Sequence, residues 1–126
     1  MQIELRALLL ADPDLSALVD RRIDWGERPQ GDGVPAVSLT RISGGEVYHM
    51  AGRSRFAQAR VQVDCFAVDY ARAARVAAAV QAALSGYRGG IFKGVFLDAA
   101  RDLRSAGSND ADRLFGVSQD YMINFF

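Results

Sequence analysis

The chain carries few groups suited to chemistry. Its 126 residues include one cysteine, Cys65, one histidine, His49, and one lysine, Lys93. A lone cysteine excludes an intrachain disulfide and a cysteine-based zinc site, because each needs at least a second thiol. A lone histidine removes most metal and acid–base constellations, and no cofactor or metal is expected. Charge of one sign is also missing: 15 Lys+Arg balance 15 Asp+Glu. The strong positive field of a dedicated nucleic-acid binder is therefore absent, as is a polybasic segment for anionic lipid. The apolar run Ala7–Ala11 is far shorter than the roughly 20 residues a bilayer needs, and no basic segment precedes it. The expectation is a soluble protein made in the cytoplasm, with no membrane partner. No G-x-x-x-x-G-K-[ST] or G-x-G-x-x-G pattern occurs. The glycines between Gly86 and Gly94, with Lys93 among them, end a helix and enter a strand, the reverse of a phosphate-binding turn.

What is present is a core. Half of the residues are apolar, enough for one compact domain, 1–126, that needs no metal or disulfide. Residues 2–11 have helical composition, with Ile3, Ala7, Leu10 and Ala11 at helix spacing. Asp12 followed by Pro13 caps a short second helical turn to Val19. Arg21 to Trp25 reads as a brief edge strand, and residues 26–35, with Pro29 and Pro35, as a loop. Ala36 to Ser43 is a strand candidate that Gly44-Gly45 breaks. Residues 44–55 then form a long loop or hairpin arm before a strand that starts near Phe56.

That strand has the cleanest period-two signal in the chain. Ala59, Val61, Val63, Cys65 and Ala67 share one face; Arg60, Gln62 and Asp64 share the other. Asp69 caps a helix from Tyr70 to Ser85 that Gly86 stops, with Ala73, Val76, Ala77, Val80, Ala83 and Leu84 as its buried stripe. Two long strands, near 91–104 and 113–125, close the chain around the polar tip 105–112. In the last of them Gln119 interrupts an otherwise apolar face. The expected fold is α+β: a mainly antiparallel (mixed) sheet of four to five strands with two helices packed on one face. The other face, with Arg60, Asp64, Ser118 and Asp120, meets solvent or a partner.

Catalytic readings are weak. Cys65 lies among apolar neighbours rather than in the exposed, positive setting that lowers a thiol pKa. It reads as a buried structural thiol, and no catalytic residues are assigned. Asp98, Asp102, Asp110 and Asp112 lack calcium-loop spacing and read as solvated turn and strand residues. Two features have no simple core explanation. The 44–55 arm carries Glu46, Tyr48, His49, Met50, Arg53 and Arg55, and Trp25 stands beside the Pro/Gly loop. Aromatics, Met and Arg are the types enriched at protein–protein interfaces. These seven residues are the candidate protein–protein interface; the alternative is a loop that folds its aromatics back onto its own domain.

The chain also resembles a known family. Leu8-Leu9-Leu10-Ala11-Asp12-Pro13-Asp14-Leu15-Ser16-Ala17-Leu18-Val19, followed by Arg22-Ile23, is similar to the opening of the bacteriophage tail completion (tail terminator, head–tail joining) proteins. Arg28-Pro29-Gln30-Gly31, Val34-Pro35-Ala36-Val37, Ala59–Ala67, the Ala-rich helix and Arg101-Asp102-Leu103 continue the likeness over about residues 5–125. At Asp20 the resemblance leads one to expect a small residue such as glycine.

The resemblance implies a virion structural protein and not an enzyme. Such proteins occur in phages, prophages and gene transfer agents. They form a hexameric ring that caps the head-proximal end of the tail tube and joins it to the neck. The implied partners are further copies of itself, the tail-tube protein and a neck or stopper protein, with DNA only passing through the lumen. The alternatives are another head–tail connector component, a stopper or adaptor, or a small enzyme or ligand-binding module using Cys65 and His49.

Overall fold

A computed structural model describes residues 1–26, 35–49, 52–104 and 115–125, with the backbone alone for 45–49, 52–56, 103 and 104. Helices α1 (Gln2–Leu10) and α2 (Pro13–Val19) lead to strands β1 (Ile23–Trp25), β2 (Ala36–His49) and β3 (Gly52–Ala67). Helix α3 (Tyr70–Leu84) then connects to β4 (Phe92–Arg104) and β5 (Phe115–Phe125). The fold is α+β, with one five-stranded mixed sheet in the order β1-β2-β3-β5-β4. Among the described residues no helix is long and apolar enough to cross a membrane.

Local chemistry accounts for the helix ends. Asp12 accepts from the Leu15 N–H at 2.9 Å, with Pro13 in the first helical turn. Asp69 likewise accepts from the Arg72 N–H at 2.8 Å. Each aspartate satisfies a donor that the first helical turn leaves open. Beyond α3, Gly86 adopts φ +77°, a conformation that glycine reaches without a Cβ clash. The chain then turns into β4.

Three helices, not two, cover the sheet, because α2 is a separate capped helix whose Leu15 and Val19 are fully buried. They share one apolar layer. Leu5 and Leu9 of α1 and Ala73, Val76, Val80 and Leu84 of α3 meet Val37, Leu39, Val61, Val63, Val95, Tyr121 and Ile123 of the strands. The stripe expected on α1 is wrong. Ile3 is 83% exposed, while Leu5 and Leu9 are buried. The Leu8-Leu9-Leu10 run fits two overlapping helical faces, and packing against β1 and the other helices selects the one through Leu5 and Leu9.

The topology follows from strand direction. β1 runs parallel to β2, and every other neighbouring pair is antiparallel. β3 and β4 are therefore parallel to each other, so the β3–α3–β4 connection is a crossover. It leaves a gap that β5 fills. Gly44-Gly45 does not break β2: Gly44 pairs with Ala59 and Gly45 with Gln58, and the ladder reaches His49↔Gly52. The segment 44–55 is thus mostly paired strand, a hairpin that continues β2 and β3. The close packing explains the glycine, since a Cβ on Gly44 would stand 3.2 Å from the Ala59 Cβ.

Candidate assembly interface

The helix-free face of the sheet concentrates the charge. From β3, Arg60 reaches Asp98 of β4 at 2.5 Å and Asp120 of β5 at 3.4 Å. Arg101 of β4 reaches the same Asp120 oxygen at 3.1 Å. Asp98 first, then Asp120, holds the Arg60 guanidinium even more firmly protonated than usual. Beside this lattice Gln62 donates to both oxygens of Asp64 at 3.0 Å. Deeper in the same face Ser118 is fully buried, and its Oγ and the Asp120 Oδ1 have no protein hydrogen-bond partner. Half-exposed pairs of this kind contribute little to stability because water screens them. They tie β3, β4 and β5 together across the sheet face.

A β-bulge builds the lattice. Leu97 pairs with Tyr121 and Ala99 with Asp120, so Asp98 is the extra residue. Without it, simple alternation from Leu97 places Arg101 on the apolar face. With it, Arg101 pairs with Ser118 and points to the charged face. Arg60, Asp64, Ser118 and Asp120 are legible as a polar face from strand alternation alone, but Asp98 and Arg101 are not. Their signal, charges interrupting a strand that otherwise alternates, is legible only once a bulge is allowed.

The predicted interface residues fall in two places. Glu46 pairs with Ala57, Tyr48 with Arg53, and His49 with Gly52 along the β2–β3 hairpin. Arg55 also lies on β3, whereas Met50 lies outside the described residues. Trp25 is distant in role: its indole Nε1 donates to the Gln2 carbonyl at 3.0 Å, and its ring packs on the core. It fastens α1 to β1. The charged tip 105–112, with Asp110 and Asp112, also lies outside the described residues.

Cys65 and His49 do not meet. Cys65 pairs with Val37, and His49 is at the other end of β2. At ~3.3 Å per residue the separation is roughly 40 Å. Cys65 is fully buried, and burial, aided by Asp64, pushes its thiol up to about 12. A thiolate nucleophile is not available there near neutral pH. The Cys65/His49 enzyme reading is therefore set aside.

Gln119, the polar residue on the apolar face of β5, has its partners inside the core. Its Nε2 donates to the Ala77 carbonyl of α3 at 3.1 Å, and its Oε1 accepts from the Tyr121 hydroxyl at 2.7 Å. It pins the helix to the sheet.

A mixed sheet backed by helices on one side is a fold also found in a virion component. A chain from a structure described as "Virion of native gene transfer agent (GTA) particle" matches with a TM-score of 0.77 and 21% identity. The match covers 96% of this chain and 90% of that one. Residues 3–124 match the family described as "Tail completion protein gp17". The chain belongs to that family, the one the residues around Leu8–Val19 and Ala59–Ala67 resemble: it is a tail completion protein. No curated protein matches it.

Proposed function

We propose that this protein terminates a phage-like tail. Copies close into a ring, six by the resemblance, at the head-proximal end of the tail tube. One ring face reproduces the docking surface of a tube subunit, and the other offers none, so polymerisation stops. The second face then receives a neck or stopper protein, and DNA passes through the lumen without sequence-specific contact. The protein is made in the host cytoplasm and works in the virion, at the tail–neck junction.

The observation that carries this reading is the family match over residues 3–124. The virion origin of the structurally similar chain supports the setting. The charge pattern supports the mechanism. A ring needs a heterologous interface, in which one patch meets a different patch of the next copy. Balanced charges of both signs can fix that register, and zero net charge lets DNA pass without sticking. In this reading Glu46, Tyr48, His49, Met50, Arg53 and Arg55 on the hairpin contact the neighbouring copy or the tube. Trp25, which fastens α1 to β1, is not part of this contact.

The test is electron microscopy of particles from cells lacking the gene. We expect tails of irregular, excessive length and capsids without attached tails. Normal-length tails joined to filled capsids overturn the reading.

A further inference from the structure

Among the described residues two edges of the sheet are open, and they match. On one side β4 is the last strand in the order. On the other, β1 pairs with Val37, Ser38 and Leu39, and no other described residue pairs with the β2 edge from Thr40 to His49. Open edges present unpaired N–H and C=O groups, and an added strand satisfies them. β2, β3, β5 and β4 alternate in direction across the sheet. With four alternating strands, the first and the last run opposite ways. A second copy related by rotation about an axis near the strand direction therefore brings its β2 antiparallel to the first copy's β4.

We propose that copies of this chain join through these edges, the β4 edge of one pairing with the β2 edge of the next. The proposal rests on the ring reading above and names its contact. Three observations carry it. First, Ala99–Arg104 pair with β5 without interruption after the bulge at Asp98, and β4 contains no proline. Second, Ala99, Ala100, Arg101 and Asp102 are exposed on both sheet faces, so the helical layer stops short of this edge. Each open edge also carries a large apolar side chain left in solvent, Phe96 at 54% and Ile42 at 51%.

Third, β1 acts as a stop. Within one copy Arg104 pairs with Phe115 and Phe115 with Ala67, level with the start of β2 near Ala36. The neighbour's edge is free only from Thr40 onward, so β4 slides by about five residues, ~17 Å, between copies. Across four strands spaced at ~4.8 Å this is a tilt of about 40°, the tilt at which sheets close on themselves. The short first strand thus sets a stagger compatible with a ring.

The experiment uses particles purified from producing cells, and Cys65 is buried and does not interfere. Ala99, Ser43 and Gly45 lie on the charged face by register, and Ala100 on the helix face. Ala99→Cys combined with Ser43→Cys or Gly45→Cys should oxidise to covalent dimers and higher multiples. Ala100→Cys with the same partners, and each single variant, should give monomers. Proline provides a second arm. In an edge strand, alternate residues aim their N–H inward and outward. Of Ala99→Pro and Ala100→Pro, one should lower the Tm of the isolated protein. The other should leave Tm unchanged yet reduce incorporation into particles at least tenfold. Particles with normal tails that contain the protein, give no cross-link with any pair and tolerate the stable proline variant overturn the edge contact while leaving the terminator reading intact. Normal tails in the complete absence of the protein overturn that reading instead.

Discussion

Gln119 offers the sharpest test of how this fold is held together. The residue is 3% exposed, and its amide links the Ala77 carbonyl to the hydroxyl of the fully buried Tyr121. Gln119→Leu keeps the volume and suits the apolar face, so a purely hydrophobic account predicts a neutral or stabilising change. The hydrogen-bond account predicts loss. The Tyr121 hydroxyl is left without its acceptor, at about 1–3 kcal/mol. The Ala77 carbonyl, inside α3, keeps a helical N–H and loses less. A destabilisation of about 2 kcal/mol is expected, partly offset by the added apolar burial.

Tyr121→Phe should cost about 1–2 kcal/mol by leaving the Gln119 Oε1 bare. The double variant, Gln119→Leu with Tyr121→Phe, leaves neither group stranded and should be less destabilised than the sum by about 1 kcal/mol or more. Urea denaturation of the four proteins, with the slope checked for constancy, measures each value. Additivity within about 0.5 kcal/mol, or a Gln119→Leu protein as stable as the parent, refutes the reasoning.

Asp20 is the one non-glycine residue with positive φ among those described, at +56°. Strain of about 1–3 kcal/mol there exceeds the ~0.5–1 kcal/mol entropy penalty of glycine, so Asp20→Gly should stabilise by about 1 kcal/mol and raise Tm in a thermal melt. Cys65 should resist maleimide in the native protein at pH 8 and react once urea unfolds it. Its thiol, held up to about 12 from a usual value of 9.0, stays protonated in the fold while the unfolded chain ionises. Stability from this group is complete below pH 9 and is lost as pH rises toward 12, so Cys65→Ala should show a shallower alkaline decline in denaturation midpoints. Leu9→Ala, in the fully buried stripe of α1, should cost about 2–5 kcal/mol by denaturant titration, whereas Ile3→Ala, at 83% exposure, should change stability by under about 0.5 kcal/mol.

The sequence by itself determined those features whose causes lie within a few residues. Asp69 and Gly86 mark the ends of α3, Asp12-Pro13 starts α2, and alternation from Ala59 to Ala67 sorts β3 into a core face and a charged face. The scarcity of Cys and His left no rich catalytic set to weigh, and spaced apolar positions identified the family. Tertiary structure decided what depends on distant partners. Packing chose between the two faces that α1's leucines allow, and the ladder opposite Gln58 and Ala59 carried β2 through Gly44-Gly45. The bulge at Asp98 reversed the phase of β4 and turned Arg101 toward Asp120. Gln119 is polar by composition but a core residue by contact, because its two partners lie on Ala77 and Tyr121. Local propensity and period are written along the chain; register, bulge and buried hydrogen bond exist only between segments, so only their meeting in space fixes them.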